Sequence, residues 1–429
     1  MLLTFEKGRV MGWAKRMLDV GPIANVEGKY VCAKHFAEDD DLEALVRENE
    51  ADSNACDFCE NSPAAPLEVV VERISQCLGH WYDDAANHLM YVGAEGGYQG
   101  PTSDTYDLLR DEVGLELSED PDDDLFQAIL SGLEDSTWVR RDWARLPESQ
   151  RLLESWDKFC ETVRHGRRYF FMDEGPLSDD ERWDGILSPP QILEKVISLI
   201  EELGLVRTLD AGTRLFRARE QLPGEQHRTS LALGPPPPPL AAANRMSAAG
   251  IPVFYAAFSR KTVLRETATQ SGVLAVGTFR TLKPLRIVDL ARLPKVPGFF
   301  NGEKAHLTEG IKFLWQFAKD ISKPLRRDGR VHIDYVPTQA ITEYIRFRFK
   351  PSGSGIDGIA YPSSRDPGSS CVALFATRAN LHLGPKGQKE VTPQERALSG
   401  DELWVKRVSS SVVEVDFRPS FKIRRKRRK

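Results

Sequence analysis

Asn244-Arg245-Met246-Ser247-Ala248-Ala249-Gly250-Ile251-Pro252-Val253-Phe254-Tyr255-Ala256-Ala257, followed at once by Thr262 to Thr267 with Glu266 inside a helix start, is the densest polar constellation on a strand-like background in this chain. Its apolar run Pro252 to Phe258 reads as a strand, as do the short apolar or alternating runs Val273 to Phe279, Leu285 to Leu290 and Cys371 to Ala376. Two helical stretches, Glu303 to Ile321 and Thr338 to Phe349, interrupt them, so everything after about Gly212 is expected to form a mixed α+β domain. Gly234 followed by Pro235 to Pro239 is stiff and extended, and reads as a rigid loop within that domain rather than as a docking site for a proline-reading partner.

Upstream of a boundary at about 205 to 212 the texture is helical. Leu67, Val71, Ile74, Leu78, Trp81, Ala85, Leu89 and Val92 recur at steps of three and four, as one buried helical face requires. Further helices are expected at Asp124 to Leu133, Gln150 to His165 and, behind Pro189-Pro190, Ile192 to Leu203. With 429 residues, 41% hydrophobic and 28% charged, the chain should fold as two or three domains. A formal net charge of -5 excludes a surface built throughout to hold nucleic acid. Charges in the first ten residues and the lack of any run near 18 apolar residues point to a cytoplasmic protein with no membrane partner.

In such a compartment the six cysteines are candidates for metal ligation or burial rather than for disulfides. Cys32-Ala-Lys-His35 and Cys56-Asp-Phe-Cys59 give C-x2-H and C-x2-C. Paired ligands two residues apart can grip one ion from a tight turn, and two such turns complete a tetrahedron of three thiolates and one imidazole. That is a closed structural zinc site, expected to staple a small N-terminal module; the alternative is four unrelated residues. Further on, Arg217 and Arg219 alternate along Leu215 to Glu220 and share a face, where a guanidinium fork suits paired phosphate oxygens. Taken alone, a solvated or salt-bridged strand face explains them better.

Three separated motifs carry a family resemblance. Arg245, Gly250, Pro252, Tyr255 and Ala257, then Glu266, then Asp357-Gly358-Ile359-Ala360-Tyr361-Pro362-Ser363-Ser364 resemble the RES family, with Asn244 where that pattern often has glycine. The likeness runs from Thr213 to Thr377, and the first half, with its C-x2-H and C-x2-C pattern, resembles a domain found upstream of RES and HEPN domains. The resemblance implies a fold similar to the ADP-ribosylating toxins and cleavage of NAD, the substrate, at the nicotinamide–ribose bond. It implies Arg217 and Arg245 on the pyrophosphate, Tyr255 on the nicotinamide ring, Glu266 near the ribose and Ser363 on ribose or phosphate. Arg219 is an alternative to Arg217, and Ser364 to Ser363. The plain structural reading makes Tyr255 a core aromatic, Glu266 a solvated helix residue and Ser363 a turn former.

Three other signals carry less. Arg73 and His80, seven apart on one helix, fall within the loose R-x6-H pattern of HEPN ribonucleases, but Ile74 takes a core-facing position beside the arginine. Seven positive charges among Lys422 to Lys429 read as a disordered, solvated tail, open to contact with nucleic acid or an acidic partner. His165, among Arg164, Arg167 and Arg168, reads as a complement to a helix dipole. The expected architecture is a zinc module at 1–62, a mainly helical domain at 63–210, a RES domain at 211–395 and a basic extension at 396–429. The expected activity is NAD glycohydrolase or phosphorylase in a toxin or defence effector held by an inhibitor (antitoxin) protein or by its own N-terminal half. ADP-ribosyl transfer to a macromolecule and a non-enzymatic zinc-containing binding module are the alternatives.

Overall fold

The computed structural model describes residues 22–173, 177–268, 270–323, 331–383, 391–399, 402–416 and 422–425. The chain divides into two compact units, Met1–Pro147 with Lys295–Glu309, and Glu148–Pro294 with Gly310–Lys429. Both mix helix and sheet, as an α+β reading requires.

In the first unit the helix Leu67–Trp81 buries Leu67, Val70, Val71, Ile74 and Leu78, the stripe its periodicity announced. Each such side chain contributes about 1.5–3 kcal/mol by leaving water. The stripe packs with Phe36, Leu42, Leu108, Phe126 and Phe300 in a single cluster that also takes in Val31, Cys32 and Cys56. The Cys/His segment thus has no core of its own; it shares the core of the long helix. That helix does not run on to Val92 as the periodicity suggested. Tyr82 is extended at its C-cap, Tyr82–Asp84 pairs with Thr137–Arg140, and the Asp84 carboxylate accepts from the Ala86 amide to start a separate 3-10 turn. Ala85 and Leu89 are buried, but in a small cluster with Val139, so their spacing continued the helical rhythm without continuing the helix.

The second unit is built on a ten-stranded sheet. Its strands in chain order are β1 (Val206–Leu209), β2 (Arg214–Glu220), β3 (Phe254–Ala257), β4 (Gly272–Thr281), β5 (Leu285–Asp289), β6 (Gly358–Pro362), β7 (Ser370–Leu374), β8 (Leu381–His382), β9 (Val405–Asp416) and β10 (Lys422–Arg425). The sheet order is β8-β9-β4-β2-β3-β7-β6-β5-β1, with β10 also on β9. Pairs are antiparallel except β5 with β6 and β8 with β9. One face carries Phe254, Ala256, Phe279, Ile287, Val372 and Leu374 in one core. The other carries Ala257, Val276, Val288 and Ile359 against helical residues including Trp156, Phe159, Leu193 and Phe313. Alternation along β3 therefore sends Phe254 and Ala256 one way and Tyr255 and Ala257 the other.

The units cut across the boundary expected at 205 to 212. The helices Glu148–Glu161 and Pro189–Glu202 bury their apolar faces in the core on the sheet's second side, where Trp156 meets Phe317 edge-on at 4.9 Å. Conversely, Lys295–Glu309, inside the expected RES segment, belongs to the first unit through Phe300. The basic terminus also departs from a disordered tail: Lys422–Arg425 pairs in register with β9, Arg425 opposite Val413 and Lys422 opposite Asp416. The last four residues of that charge run lie outside the described residues.

Candidate functional site

In the second unit a cleft of about 480 Å³ opens, lined by Arg217, Arg245, Tyr255, Glu266, Tyr361 and Cys371 among others. Its volume lies in the range that holds small organic ligands. Four of the five residues expected from sequence line it, and the fifth, Ser363, holds one of them. Ser363 is buried, and its hydroxyl donates to Glu266 Oε1 at 2.5 Å while accepting from the backbone amides of Arg365 (3.3 Å) and Asp366 (3.0 Å). The Arg365 amide also reaches the same carboxylate oxygen at 3.3 Å. The geometry thus selects Ser363 over Ser364 as the residue that orients Glu266.

Glu266 is carried by the helix Arg260–Thr267, started by the Ser259 hydroxyl accepting from the Thr262 amide. The end of that helix is clamped by side chains that sequence reasoning missed. Arg265 Nη1 donates to Asp366 Oδ1 at 2.6 Å, the Thr262 hydroxyl to Asp366 Oδ2 at 2.8 Å, and Arg365 Nη1 to the Ala268 carbonyl at 2.8 Å. Asp366 is buried. Burial works to raise its pKa, but the hydrogen bonds from Thr262 and Ser369 and the Lys261 charge outweigh it and hold the carboxyl below its usual value. Its signal in the sequence was faint: an acid three residues past Ser363.

In the same cleft Arg217 donates through Nη1 to the Tyr255 carbonyl (2.8 Å) and lies over the Phe254 ring at 5.3 Å, while its Nε is buried with no partner. Burial first, and the neighbouring Arg219 charge second, pull its pKa down to about 9. A guanidinium in that state is stabilised by an anion. Arg219 lines the same cleft and donates through Nη2 to the Gly234 carbonyl at 3.0 Å. Arg245 donates to the Lys323 carbonyl at 2.9 Å and lies over Tyr361 at 5.7 Å. Its loop is fixed from Tyr255, whose hydroxyl accepts from the Met246 amide (3.0 Å) and bonds the Ser247 hydroxyl (3.0 Å); burial pushes that phenol up to about 12. Gly250, at φ +85°, turns the loop in a conformation that side chains resist. The phenol of Tyr255 is thus engaged in building the site, and its ring forms part of the wall.

In the first unit Cys32, His35, Cys56 and Cys59 come together with all four ligand atoms within 4.8 Å of one another. His35 is fully buried, its Nδ1 is 2.8 Å from the Ser118 carbonyl, and its Nε2 has no hydrogen-bond partner. Donation from Nδ1 leaves the Nε2 lone pair free for an ion, the arrangement metal-bound histidines use. Asn61 Nδ2 donates to Cys59 Sγ at 3.0 Å, and Cys32 Sγ lies 3.4 Å from Cys59 Sγ. The donor set suits a tetrahedral metal ion.

The family model described as RES domain matches residues 214–393, and the one described as HEPN/RES N-terminal domain 1 matches residues 49–177. The chain carries a RES domain. No curated protein and no solved structure matches the chain. The RES match spans every residue of the cleft named above, and the N-terminal match holds Cys56 and Cys59 but begins after Cys32 and His35.

Outside the RES domain, Arg73 donates to the Phe300 carbonyl at 3.4 Å, and His80 packs edge-on to Trp81 at 4.7 Å. Burial first, then the charges of His306 and Arg141, lower the pKa of His80. His165 sits exposed in the turn Thr162–Gly166 that follows the helix Glu148–Glu161. Among the described residues no helix is long and apolar enough to cross a membrane.

Proposed function

We propose that the RES domain of this chain cleaves NAD at the nicotinamide–ribose bond. The observation that carries the reading is a carboxylate, Glu266, fixed by the Ser363 hydroxyl in a cleft that Arg217 and Arg245 also line. The arginines take the pyrophosphate, and the substrate's positive nicotinamide end is left beside the carboxylate. Tyr255 walls the ring in. The C–N bond breaks with its electron pair leaving on nicotinamide, and Glu266 stabilises the positive charge that develops on the ribose carbon. Water then adds to that carbon and gives up its proton, so the products are nicotinamide, ADP-ribose and one proton. Ser363 is a positioning residue here, because its hydroxyl is bonded to Glu266 and to two amides.

In this reading the first unit holds a structural zinc ion on Cys32, His35, Cys56 and Cys59. Four protein ligands leave no open position, so the ion staples the fold and takes no part in cleavage. An enzyme that drains NAD acts as a toxin or defence effector and needs restraint, from an inhibitor protein or from the N-terminal half.

The test is nicotinamide release from NAD followed by NMR, wild type against Glu266→Ala, with and without phosphate and with a protein mixture as acceptor. Release by wild type and not by the variant is expected. The ribosyl product then separates hydrolysis, phosphorolysis and ADP-ribosyl transfer. No release by the full chain under any of these conditions would turn the case towards a binding module.

A further inference from the structure

The cleft continues past the proline loop into a second chamber of about 730 Å³, and the two share Arg219, Pro236 and Leu240. Arg219 follows Arg217 by two residues on β2, so the two side chains leave the strand on one face, about 6.5–7 Å apart along it. Beyond Arg219 the chamber is lined by Arg378 and His227. No Asp or Glu is found among the described residues lining it.

Arg378 has a buried Nε without a hydrogen-bond partner. Burial first, and the charge of Arg378 second, lower the pKa of Arg219, so the two guanidinium groups lie within each other's field. Two cations brought together in a half-buried chamber repel each other until an anion joins them. The other walls are of a different kind. Leu231, Pro236, Pro237 and Leu240 are apolar, and Thr229 and Ser230 add hydroxyls. An occupant matched to this chamber has one phosphate and a flat apolar body.

We propose that the second chamber binds the adenylate half of the dinucleotide, its phosphate between Arg219 and Arg378 and its adenine ring against Leu231, Pro236 and Leu240. This rests on the NAD reading of the first chamber. Arg219 then joins Arg217 and Arg245 on the pyrophosphate, which accounts for two arginines in alternation on β2. Pro235 to Pro239 acts as the stiff rim between the chambers, giving the dinucleotide a preformed bend to lie across.

AMP contains this half of the molecule and none of the reacting bond, so it probes the second chamber alone. Titrated calorimetrically into the full chain, AMP should bind saturably with one site, and Arg378→Ala should weaken it at least tenfold. The same variant should lower the preference for NAD over nicotinamide mononucleotide, which lacks the adenylate, by at least tenfold. Leu240 is exposed, so Leu240→Asp places a negative charge at the rim without touching the core and should weaken AMP in the same direction should Arg378→Ala melt early. AMP that fails to bind the wild type, or that binds both variants as tightly as the wild type, overturns the assignment. The two chambers fail separately. Nicotinamide release with no AMP site keeps the first and removes the second, whereas AMP binding that depends on Arg378, with no nicotinamide release, keeps the second as a mononucleotide site and removes the NAD reading.

Discussion

The Cys/His cluster and the RES cleft are both polar groups gathered from distant segments, yet they end in opposite states. In the cluster four ligand atoms converge within 4.8 Å and one nitrogen, His35 Nε2, is left facing its neighbours. In the cleft Glu266 Oε1 is bonded by Ser363 and the Arg365 amide, while the Arg217 guanidinium keeps an unpartnered Nε. A converging set with room for a single ion is built for permanence. A cleft of about 480 Å³ lined by both a carboxylate and guanidinium groups is built for something that enters and leaves.

That contrast can be broken first at the cluster. Chelation, or Cys56→Ser with Cys59→Ser, should release one zinc ion by metal analysis and unfold the core shared by Phe36 and Leu67–Trp81, seen as lost helical circular dichroism; structural zinc in such ligand sets contributes about 10 kcal/mol or more. Cleft activity that fell while the helices stayed intact and zinc-free would place the cluster on the wrong side of the comparison. Next, Glu266→Ala should lower the rate of nicotinamide release by about 10²–10³-fold with little change in KM, the scale on which loss of one group that stabilises transition-state charge is felt.

A smaller effect falls on the clamp behind the carboxylate. Asp366→Asn should lower stability by about 1.5–3 kcal/mol in denaturant titration, as loss of a charged hydrogen bond at a buried acid does. The sign of its pH dependence follows from a folded pKa held below the unfolded value of about 3.9. The contribution is complete above about pH 5 and disappears as pH falls through the depressed folded value, so the variant should lose most at neutral pH and converge on the wild type in acid. Parallel acid limbs would show that Asp366 does not supply this stability. Finally, Arg217→Ala should raise KM for NAD about tenfold, or about 1.4 kcal/mol, with kcat less affected. A change confined to kcat would move Arg217 from binding the phosphates to acting on the reacting bond.

Much of this was legible in the sequence because the signals were local. The 3.6-residue stripe of Leu67, Val71, Ile74 and Leu78 needs only one helix to be read, and a C-x2-H with a C-x2-C states a ligand set whatever surrounds it. Spacing also placed Arg245, Tyr255 and Glu266 in one segment and Ser363 in another. What stayed hidden depended on partners far along the chain. Ala85 and Leu89 kept the helical rhythm, but Thr137–Arg140 captured Tyr82–Asp84 and ended the helix. Helices read as N-terminal joined the sheet because Trp156 and Leu193 found Phe313 and Phe317 there.

The sequence by itself determined which side chains could do chemistry and on which kind of element each would ride. Only the tertiary structure decided that Ser363 rather than Ser364 holds Glu266, that Asp366 anchors the helix behind it, and that Arg219 lines both chambers while Arg217 lines only the first. Periodicity reports a residue's own strand or helix, whereas a hydrogen bond between residues about a hundred positions apart exists only once β3, β6 and β7 have brought them together.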